Sequence, residues 1–413
     1  MRLFNTLLFV LFALSANAAD GTVGTVSVQK GNNVSVNGEA PLSLTLDGKD
    51  HQSCQFLSKR APDESHEFTW KEVTTTRGGE LAEILGDQLR SVDSLVVKGN
   101  VNDKDFHAMW DASLYGYLSV INLKNAVLEN NAVPDTAFFH ENEQYEGSSH
   151  EIFYYIGLRK IILPEGLEKI GEGAFYQASA LRQVNFPSTL RYIGDFAFNA
   201  TKLEMNQLVI PEGVEEINQY AFAFCRKLKA QVTLPSTIKK IGEWAFYGCP
   251  ITSINLPEGL ESLGSLSFWD CDLREVSIPS SCHEFNEGWQ FGFNRNLEKM
   301  HLPEGMTEIP DHFAVDCFRL REVNFPHTLK HIGEKAFSLC ISLKNVDLPL
   351  GMQSLGEEAF SELEALEQIV FPASMKSLGK NSCSYWKNIK RIYCAAMEPP
   401  VCDPTDGGVF SGF

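Results

Sequence analysis

Apolar and polar positions along this chain repeat with a single period of 22 to 24 residues. The period is marked by ten prolines, each preceded by a short apolar run and followed by a second one. These prolines are Pro164, Pro187, Pro211, Pro235, Pro257, Pro279, Pro303, Pro326, Pro349 and Pro372. A fixed period of this length is typical of repeat architectures, in which each unit adds one layer to a stack. The pattern therefore predicts one extended array over more than half of the chain.

One copy of the unit shows how a single coil is built. Val184 and Phe186 are apolar and alternate with the polar Asn185, which is the period of a half-buried β-strand. Pro187 has no backbone N–H to donate and ends the strand. Further along the copy, Phe198 places a large apolar side chain on the next side of the coil. A coil of this size cannot close a core alone, but stacked coils can join their strands into a parallel sheet.

Two inward-facing columns can be followed from copy to copy. The aliphatic column is Ile170, Ile193, Ile217, Ile241, Leu263, Phe285, Ile309, Ile332, Leu355 and Leu378. The aromatic column is Phe175, Phe198, Phe222, Phe246 and Phe268, followed later by Phe337 and Phe360. Burial of each such side chain contributes about 1.5–3 kcal/mol, so the columns predict a continuous core. We expect Phe246→Ala to destabilise the array strongly, and Asn255→Ala to have no such effect.

The repeated strings LPEGLEKIGEGAF, FPSTLRYIGDFAF and FPHTLKHIGEKAF resemble the BspA-like leucine-rich repeats of bacterial surface and secreted proteins. The resemblance covers about residues 90–413, and ten copies agree in residue type and spacing. It implies an α/β fold of the leucine-rich-repeat solenoid type. Such a solenoid is a curved right-handed coil with a parallel β-sheet on its concave face, short strands and 3-10 turns on its convex side, and here a small β-rich N-terminal cap.

Three departures from the repeat predict local distortion. The copy after Pro279 reads SSCHEFNEGWQFGFNRN, which is irregular. Phe313 and Ala314 reverse the usual order of the alanine and phenylalanine, and Cys383 replaces the phenylalanine of its column.

The chain is predicted to have five segments. These are a signal peptide at 1–18, an N-terminal β-rich cap at 19–89, degenerate repeats with an insertion at 90–157, ten regular repeats at 158–388, and an incomplete C-terminal repeat or cap at 389–413. The first segment, MRLFNTLLFVLFALSANA, has an apolar stretch and an A-x-A exit, as secretory signals do. No cysteine follows the exit and no later apolar run could span a bilayer, so we expect a secreted or cell-surface protein without a lipid or transmembrane anchor.

The C-terminal segment reaches Phe410, which looks like another inward-facing phenylalanine, and then stops. An open final coil would expose core surface. A short cap, a truncated chain, and an end that is buried against a partner or a second copy are all compatible with the sequence.

The chain has 35 basic and 53 acidic residues, and thus a net charge of −18. Binding to phosphate needs a basic surface, so nucleic acid is not an expected partner. The same charge is consistent with a soluble exported protein.

Ten cysteines in an exported chain suggest disulfides, but five of them share one column. Cys225, Cys249, Cys271, Cys317 and Cys340 each follow the aromatic column by three residues or take the equivalent place. We interpret them as buried thiols, with stacked disulfides as the alternative. A disulfide is possible between Cys394 and Cys402 near the C-terminal end.

No residues with the spacing of a catalytic or metal site were found. His140, His150 and Glu151 in the insertion, and Asp403 and Asp406 near the end, lack zinc-finger or EF-hand spacing and are interpreted as solvated loop residues. Nucleophile-elbow, phosphate-loop and dinucleotide motifs are absent. We therefore expect no cofactor, no metal and no enzymatic activity.

Outward-facing strand positions are the expected place for a ligand. The candidate residues are Lys160, Asn185, Asn255, Glu275, Lys299, His301, Glu322, Asn324, Asn345 and Asp347. These positions are polar and poor in aromatic residues, which favours a protein ligand over a sugar. The resemblance implies adhesion to, or recognition of, host or other extracellular macromolecules. Two alternatives stay open: a self-associating envelope or matrix protein, and an enzyme whose site lies on the insertion or the N-terminal cap.

Overall fold

The computed structural model describes residues 66–139, 156–402 and 408–411, together with the backbone of five short strands outside those ranges. These strands are Gly24–Gln29 (β1), Asn33–Gly38 (β2), Leu44–Thr45 (β3), Phe56–Leu57 (β4) and Phe153–Tyr154 (β9). Strand β1 pairs antiparallel with β2 and parallel with β3, and β4 pairs parallel with β9. Outside the described residues lie the predicted signal peptide 1–18 and the side chains of His140, His150, Glu151, Asp403 and Asp406.

The described chain divides into two compact units. The first contains the described residues up to Ala126 and those of 137–162 and 178–181, and the second contains Val127–Thr136, Leu163–Gln177 and the described residues from Arg182 onward. The main strands of the first unit are Trp70–Thr75 (β5), Ser94–Val101 (β6), Val120–Leu128 (β7), which continues into the second unit, and Lys160–Ile162 (β10). Strand β5 pairs with β6 and β10 with β7, both in parallel. The helices of this unit are Leu81–Leu85 (α1), Asp103–Tyr115 (α2) and the 3-10 helix Gly86–Ser91.

Helix α2 was not predicted, although the sequence has a helix-start signal there, with Asn102 at the N-cap and Asp105 three residues later. The Asn102 side chain accepts from the Lys104 and Asp105 N–H groups, and the Asp105 carboxylate accepts from the Asn102 N–H, so Asn102 and Asp105 form a capping box. The buried Asp105 carboxylate also accepts from the N–H groups of Gly79 (2.7 Å) and Leu81 (2.9 Å). One carboxylate thus joins the start of α2 to the segment that leads into α1.

The second unit is a stack of coils with two sets of very short strands. The outer set is Gln183–Val184 (β12), Gln207–Val209 (β14), Gln231–Thr233 (β16), Ser253–Asn255 (β18), Glu275–Ser277 (β20), Lys299–His301 (β22), Glu322–Asn324 (β24), Gln368–Phe371 (β27) and Arg391–Cys394 (β29). The inner set is Ala132–Val133 (β8), Lys169–Ile170 (β11), Tyr192–Ile193 (β13), Glu216–Ile217 (β15), Lys240–Ile241 (β17), Ser262–Leu263 (β19), Glu284–Phe285 (β21), Glu308–Ile309 (β23), His331–Ile332 (β25), Ser354–Leu355 (β26), Ser377–Leu378 (β28) and Val401–Cys402 (β30). The 3-10 helix Glu129–Asn131 precedes β8. Strands that are neighbours in the same sheet pair in parallel and in register, so the predicted solenoid is confirmed.

Both predicted columns form the core of the stack. The phenylalanine rings lie nearly parallel, with centroids 5.2 Å apart between Phe198 and Phe222 and 5.3 Å apart between Phe222 and Phe246. All of these rings are fully buried. The aliphatic column is buried too, except for Phe285, which is partly exposed.

Distortion occurs where the sequence departs from the repeat. The inner strands form two sheets, β8 to β21 and β23 to β30, with the break just after the irregular copy. Phe291 fills the gap in the aromatic column and stacks on Phe268 at 5.5 Å, whereas the reversed Phe313 meets Phe291 at an angle of 77°. The outer strands form separate ladders, β14 to β18, β20 to β24 and β27 to β29, and not one continuous sheet. Because each strand has only two to four residues, a small offset between coils removes the few bonds that join them.

The turns that carry the aromatic column form a second hydrogen-bonded ladder, which we call the turn ladder. In each coil, φ is positive two residues before and two residues after the column position, as at Phe196 (55°) and Ala200 (60°) around Phe198. The N–H groups at these three positions donate to carbonyls of the next coil. In this coil the bonds run from Phe196 to Gln219 (2.9 Å), from Phe198 to Ala221 (2.8 Å) and from Ala200 to Ala223 (2.9 Å). The alternate N–H groups bond within their own turn, so every bond of the turn ladder that joins two coils points the same way.

The described C-terminal residues extend this ladder. The N–H groups of the last full turn donate to carbonyls of the final segment, with bonds from Asn381 to Gly408 (2.6 Å), from Cys383 to Val409 (3.1 Å) and from Tyr385 to Ser411 (2.8 Å). Val409 faces inward at 4% exposure, and Phe410 is 42% exposed. The expectation that Phe410 is the inward-facing residue is therefore wrong, because the register of the turn ladder places Val409 there.

Candidate interaction surfaces

Five of the candidate ligand residues lie together on the outer strands β20, β22 and β24. Glu275, Lys299 and Glu322 are paired in register across these strands, and His301 pairs with Asn324. Lys299 Nζ lies 3.1 Å from Glu322 Oε2, and His301 Nε2 lies 3.2 Å from Glu275 Oε1. The hydrogen bond and charge of Glu322 raise the pKa of Lys299. We call this outward surface of the outer strands the strand face; in this central part, the charges of Lys299 and Glu322 neutralise each other.

Three candidate asparagines bind their own chain. Asn185 Oδ1 accepts from the Leu163 N–H (2.7 Å), and its Nδ2 donates to the Leu163 carbonyl (3.0 Å). Asn324 makes the same pair of bonds to Leu302, at 2.8 and 3.0 Å. In both cases the partner is the residue before the proline of the preceding coil, so the amide takes the place of a strand pair. These asparagines hold neighbouring coils together.

Asn255 belongs to the same group. Its Oδ1 accepts from the Leu234 N–H at 2.9 Å, and its Nδ2 reaches the Leu234 carbonyl at 3.5 Å. The expectation that Asn255→Ala does not strongly destabilise the array stays a prediction, and the structure adds a modest cost, because the substitution would leave a part-buried N–H without its acceptor.

The remaining candidates do not join the central group. Lys160 lies on β10 in the first unit. Asn345 and Asp347 are exposed, and their segment is not part of a strand.

The cysteine column consists of free, buried thiols, as predicted. Each Sγ donates to a carbonyl of the preceding coil, as from Cys249 to Phe222 (2.9 Å) and from Cys271 to Phe246 (3.3 Å). Burial raises the pKa of both thiols well above the usual range. Such thiols are weak nucleophiles, and their role is to pair buried carbonyls.

The disulfide considered between Cys394 and Cys402 is not formed. Both thiols are free and exposed. Cys394 is held in register with Phe371 in the outer set, whereas Cys402 is held in register with Leu378 in the inner set.

The turns after the prolines reveal a repeat of two coils that was missed in the sequence. A P-E-G turn alternates with a turn that carries a hydroxyl or a histidine. Glu165 accepts from both the N–H (3.2 Å) and the hydroxyl (3.0 Å) of Ser188 in the next coil, and Glu212 binds Ser236 in the same way. At a later pair, His327 replaces the serine and lies 3.0 Å from Glu304. The alternation of PEG with PST in the printed sequence was the available signal.

A row of half-buried residues, all aromatic except one leucine, lies on the turn ladder, two residues before the column position. We call it the aromatic edge; its members in six consecutive coils are Phe196, Tyr220, Trp244, Leu266, Trp289 and His312. Phe196 stacks on Tyr220 at 4.6 Å and 7°, and Tyr220 stacks on Trp244 at 5.3 Å and 16°. Trp289 stacks on His312 at 3.6 Å, and burial lowers the pKa of His312. The strings FAF, YAF, WAF and WQF, each with an aromatic residue two positions before the column phenylalanine, were the signal for this row in the sequence.

Carboxylates precede the aromatic edge in several coils. We call them the acidic flank, which consists of Asp195, Glu243, Glu287 and Asp311. Glu243 Oε1 accepts from Trp244 Nε1 at 3.0 Å, and its charge contributes to a raised pKa of Tyr220, about 12, of which burial is the main cause. Within the described residues, none of these four carboxylates forms an ion pair.

Sites for metals and membranes were also sought. Among the described residues, no group of three or more His, Cys, Asp or Glu side chains could hold a metal ion. The described helices are too short or too polar to cross a bilayer. The insertion considered as a possible enzymatic site lies largely outside the described residues.

Comparison with known proteins places the repeat in a family. The model of the BspA type leucine rich repeat region matches residues 148–231, 229–337 and 312–397, which together span more than half of the chain. The chain belongs to the BspA-type leucine-rich repeat family.

The first of two similar solved structures agrees with a leucine-rich-repeat fold. A leucine-rich repeat protein from Bacteroides ovatus is 20% identical, with 90% of this chain and 92% of that chain covered and a TM-score of 0.53. A leucine rich cell surface protein from Faecalibacterium prausnitzii is 20% identical over 69% of this chain and 84% of that chain, with a TM-score of 0.36. No curated protein sequence matches the chain.

Proposed function

We propose that this chain is an exported binding protein that recognises an extracellular protein through its strand face. Support comes from its membership of a family of surface and secreted repeat proteins. The observation that carries the proposal is the in-register group of Glu275, Lys299, His301 and Glu322. On the paired strands this group presents hydrogen-bond donors and acceptors, and charges of both signs. A polar surface with charges of both signs suits specific protein recognition, since each pair can exchange an internal partner for an external one.

The test is capture of proteins from an extracellular matrix extract on immobilised full-length chain. The variant Glu275→Gln/His301→Gln removes one exposed histidine–glutamate pair of the strand face. The matched control Glu304→Gln/His327→Gln removes a pair of the same two residue types, more exposed, on the proline turns. We expect the strand-face variant to lose about tenfold or more of the captured protein and the control to lose little. Equal capture by both variants would remove the strand face from the proposal.

A second candidate function, self-association, is favoured by one feature of the C-terminal end. Among the described strands, β29 pairs with β27 alone, and all four of its residues are exposed, with Ile392 at 41% and Tyr393 at 50%. An exposed apolar edge strand can pair with another chain. If this alternative holds, light scattering will show assembly that rises with concentration and that Ile392→Lys abolishes. Monomeric behaviour at all concentrations would exclude it.

A further inference from the structure

The backbone of the turns does not require large or aromatic side chains at the positions of the aromatic edge. The same left-handed position is filled by Gly173, Lys335, Glu358 and Asn381 in other coils. A left-handed conformation costs an ordinary L-residue about 1–2 kcal/mol relative to its preferred conformations, and large side chains are uncommon there. Large side chains nevertheless fill it in six consecutive coils, where glycine or asparagine would be easier to accommodate. What these residues contribute is therefore their side chains, at the surface of the protein.

The geometry of the rings selects the kind of ligand. Both faces of the Tyr220 ring are covered, by Phe196 on one side and Trp244 on the other. Sugar rings stack on aromatic faces, and these faces are already occupied. The exposed rim of the row is an apolar surface. Arg226 and Arg295 lie beside it, over the rings of Phe224 and Phe293 on the other side of the turns. Tryptophan, tyrosine and arginine are the residues that dominate the energetics of protein–protein interfaces.

The charge of the same edge indicates the partner. The four carboxylates of the acidic flank have no cationic partner among the described residues, whereas the charges at the centre of the strand face are paired. Asp195, Glu243 and Glu287 lie two coils apart from one another, about 10 Å, which is close to the Debye length of about 8 Å at physiological salt, and Glu287 and Asp311 lie in neighbouring coils, about 5 Å apart. The unpaired charges of the four therefore add to one negative field, which is strongest at Glu287 and Asp311. Such a field attracts a cationic partner and repels a second copy of this chain, whose net charge is −18.

From these observations we propose that the aromatic edge and its acidic flank form a second docking surface, which binds a basic segment of a protein. Arginine or lysine side chains of the segment meet the carboxylates, and its apolar side chains pack on the rim of the rings. The surface is distinct from the strand face. The inference rests on the proposed function only in that the chain binds a protein.

The probe is an eight-residue fluorescent peptide of alternating arginine and leucine, whose binding to the full-length chain is followed by fluorescence anisotropy. Two companion peptides separate charge from apolar contact, one of alternating glutamate and leucine and one of alternating arginine and serine. We expect the arginine–leucine peptide to bind tightest and the arginine–serine peptide to bind about tenfold more weakly. The glutamate–leucine peptide should not bind. Cellohexaose, a neutral sugar, should not displace the bound peptide.

Two charge variants locate the site. The edge variant is Glu243→Gln/Glu287→Gln/Asp311→Asn. The control variant, Glu275→Gln/Glu322→Gln/Asp347→Asn, removes the same number of carboxylates, two from the strand face and one from the exposed segment around Asp347. We expect the edge variant to weaken binding about tenfold or more and the control to change it by about twofold or less.

A third variant tests the rings. Trp289→Asn places at this position the residue that the chain itself uses at Asn381, so the left-handed turn is retained. Binding should weaken about tenfold, while the melting temperature confirms that the variant is folded.

Three results would overturn the proposal. They are equal loss in both charge variants, displacement by cellohexaose, and no binding of the arginine–leucine peptide at about 1 mM, where even contacts worth about 4 kcal/mol are detected. Failure of the proposed function is recognised separately, because it is measured by matrix capture with the Glu275 and His301 variant.

Discussion

Truncation of Phe246 to alanine tests whether the aromatic column holds the stack together. Phe246 is fully buried between two nearly parallel rings, with centroids 5.3 Å from Phe222 and 5.6 Å from Phe268. Removing a buried phenylalanine ring costs about 3–5 kcal/mol, from lost burial and from the cavity that remains. Two ring contacts disappear together, so we expect the upper part of this range. Urea denaturation followed by circular dichroism measures the loss.

Asn255→Ala is the matched comparison in the next coil. Its truncation removes the bonds to Leu234 and should cost only about 1 kcal/mol. Because coils contact mainly their neighbours, loss of the Phe246 ring should also separate the unfolding of the coils on either side into two transitions. Equal losses for Phe246→Ala and Asn255→Ala, or no loss for Phe246→Ala, would refute the assignment of the core.

Three further predictions follow from the buried thiols, the edge histidine and the paired turns. In a Cys54→Ser background, a thiol reagent at about pH 8 should modify two of the nine remaining cysteines in the native protein and all nine after denaturation, since seven are buried. The pKa of His312 is lowered, so the fold favours the neutral imidazole. The contribution of His312 to stability is therefore complete above the ordinary pKa of about 6.5 and is lost as the pH falls toward the lower pKa of the folded protein. Melting temperatures measured between about pH 5 and 8 should fall less on acidification for His312→Leu than for the original chain. Deletion of residues 188–235 removes two coils and should give a higher melting temperature than deletion of residues 188–211, which removes one. The one-coil deletion places the turns of Glu165 and Glu212 side by side, so Glu165 loses its serine partner. The opposite order of melting temperatures would show that the two-coil repeat contributes little to stability.

The parts of this fold that depend on spacing could be predicted from the sequence. The period of the prolines and of residues such as Ile241 and Phe246 identifies which side chains face inward, because burial selects residue type at each coil. Phe291 escaped this reasoning because its copy is irregular. Its place was settled by the turn ladder, whose register depends on backbone bonds that sequence does not display.

The candidate site was less predictable. Position on a strand correctly placed Lys299 and Glu322 at the surface and side by side. It could not reveal that Asn185 and Asn324 are used to join coils, since an asparagine that binds the backbone and one that awaits a ligand look alike in a sequence. The aromatic edge was visible as a residue type, but its stacking emerges only when the coils are superposed in space.

The turn ladder aligns peptide dipoles along the stack of coils. Its N–H groups all point toward the later coils and its carbonyls toward the earlier ones, from Gly173 to the bonds that end at Ser411. Aligned peptide dipoles add, as they do in an α-helix, so the late end is electropositive and the early end electronegative. Two such ends of the same kind cannot hydrogen-bond to each other through their turns. Any copy that extended the stack through this ladder would have to join head to tail, and that geometry leads to an open filament and not to a closed pair.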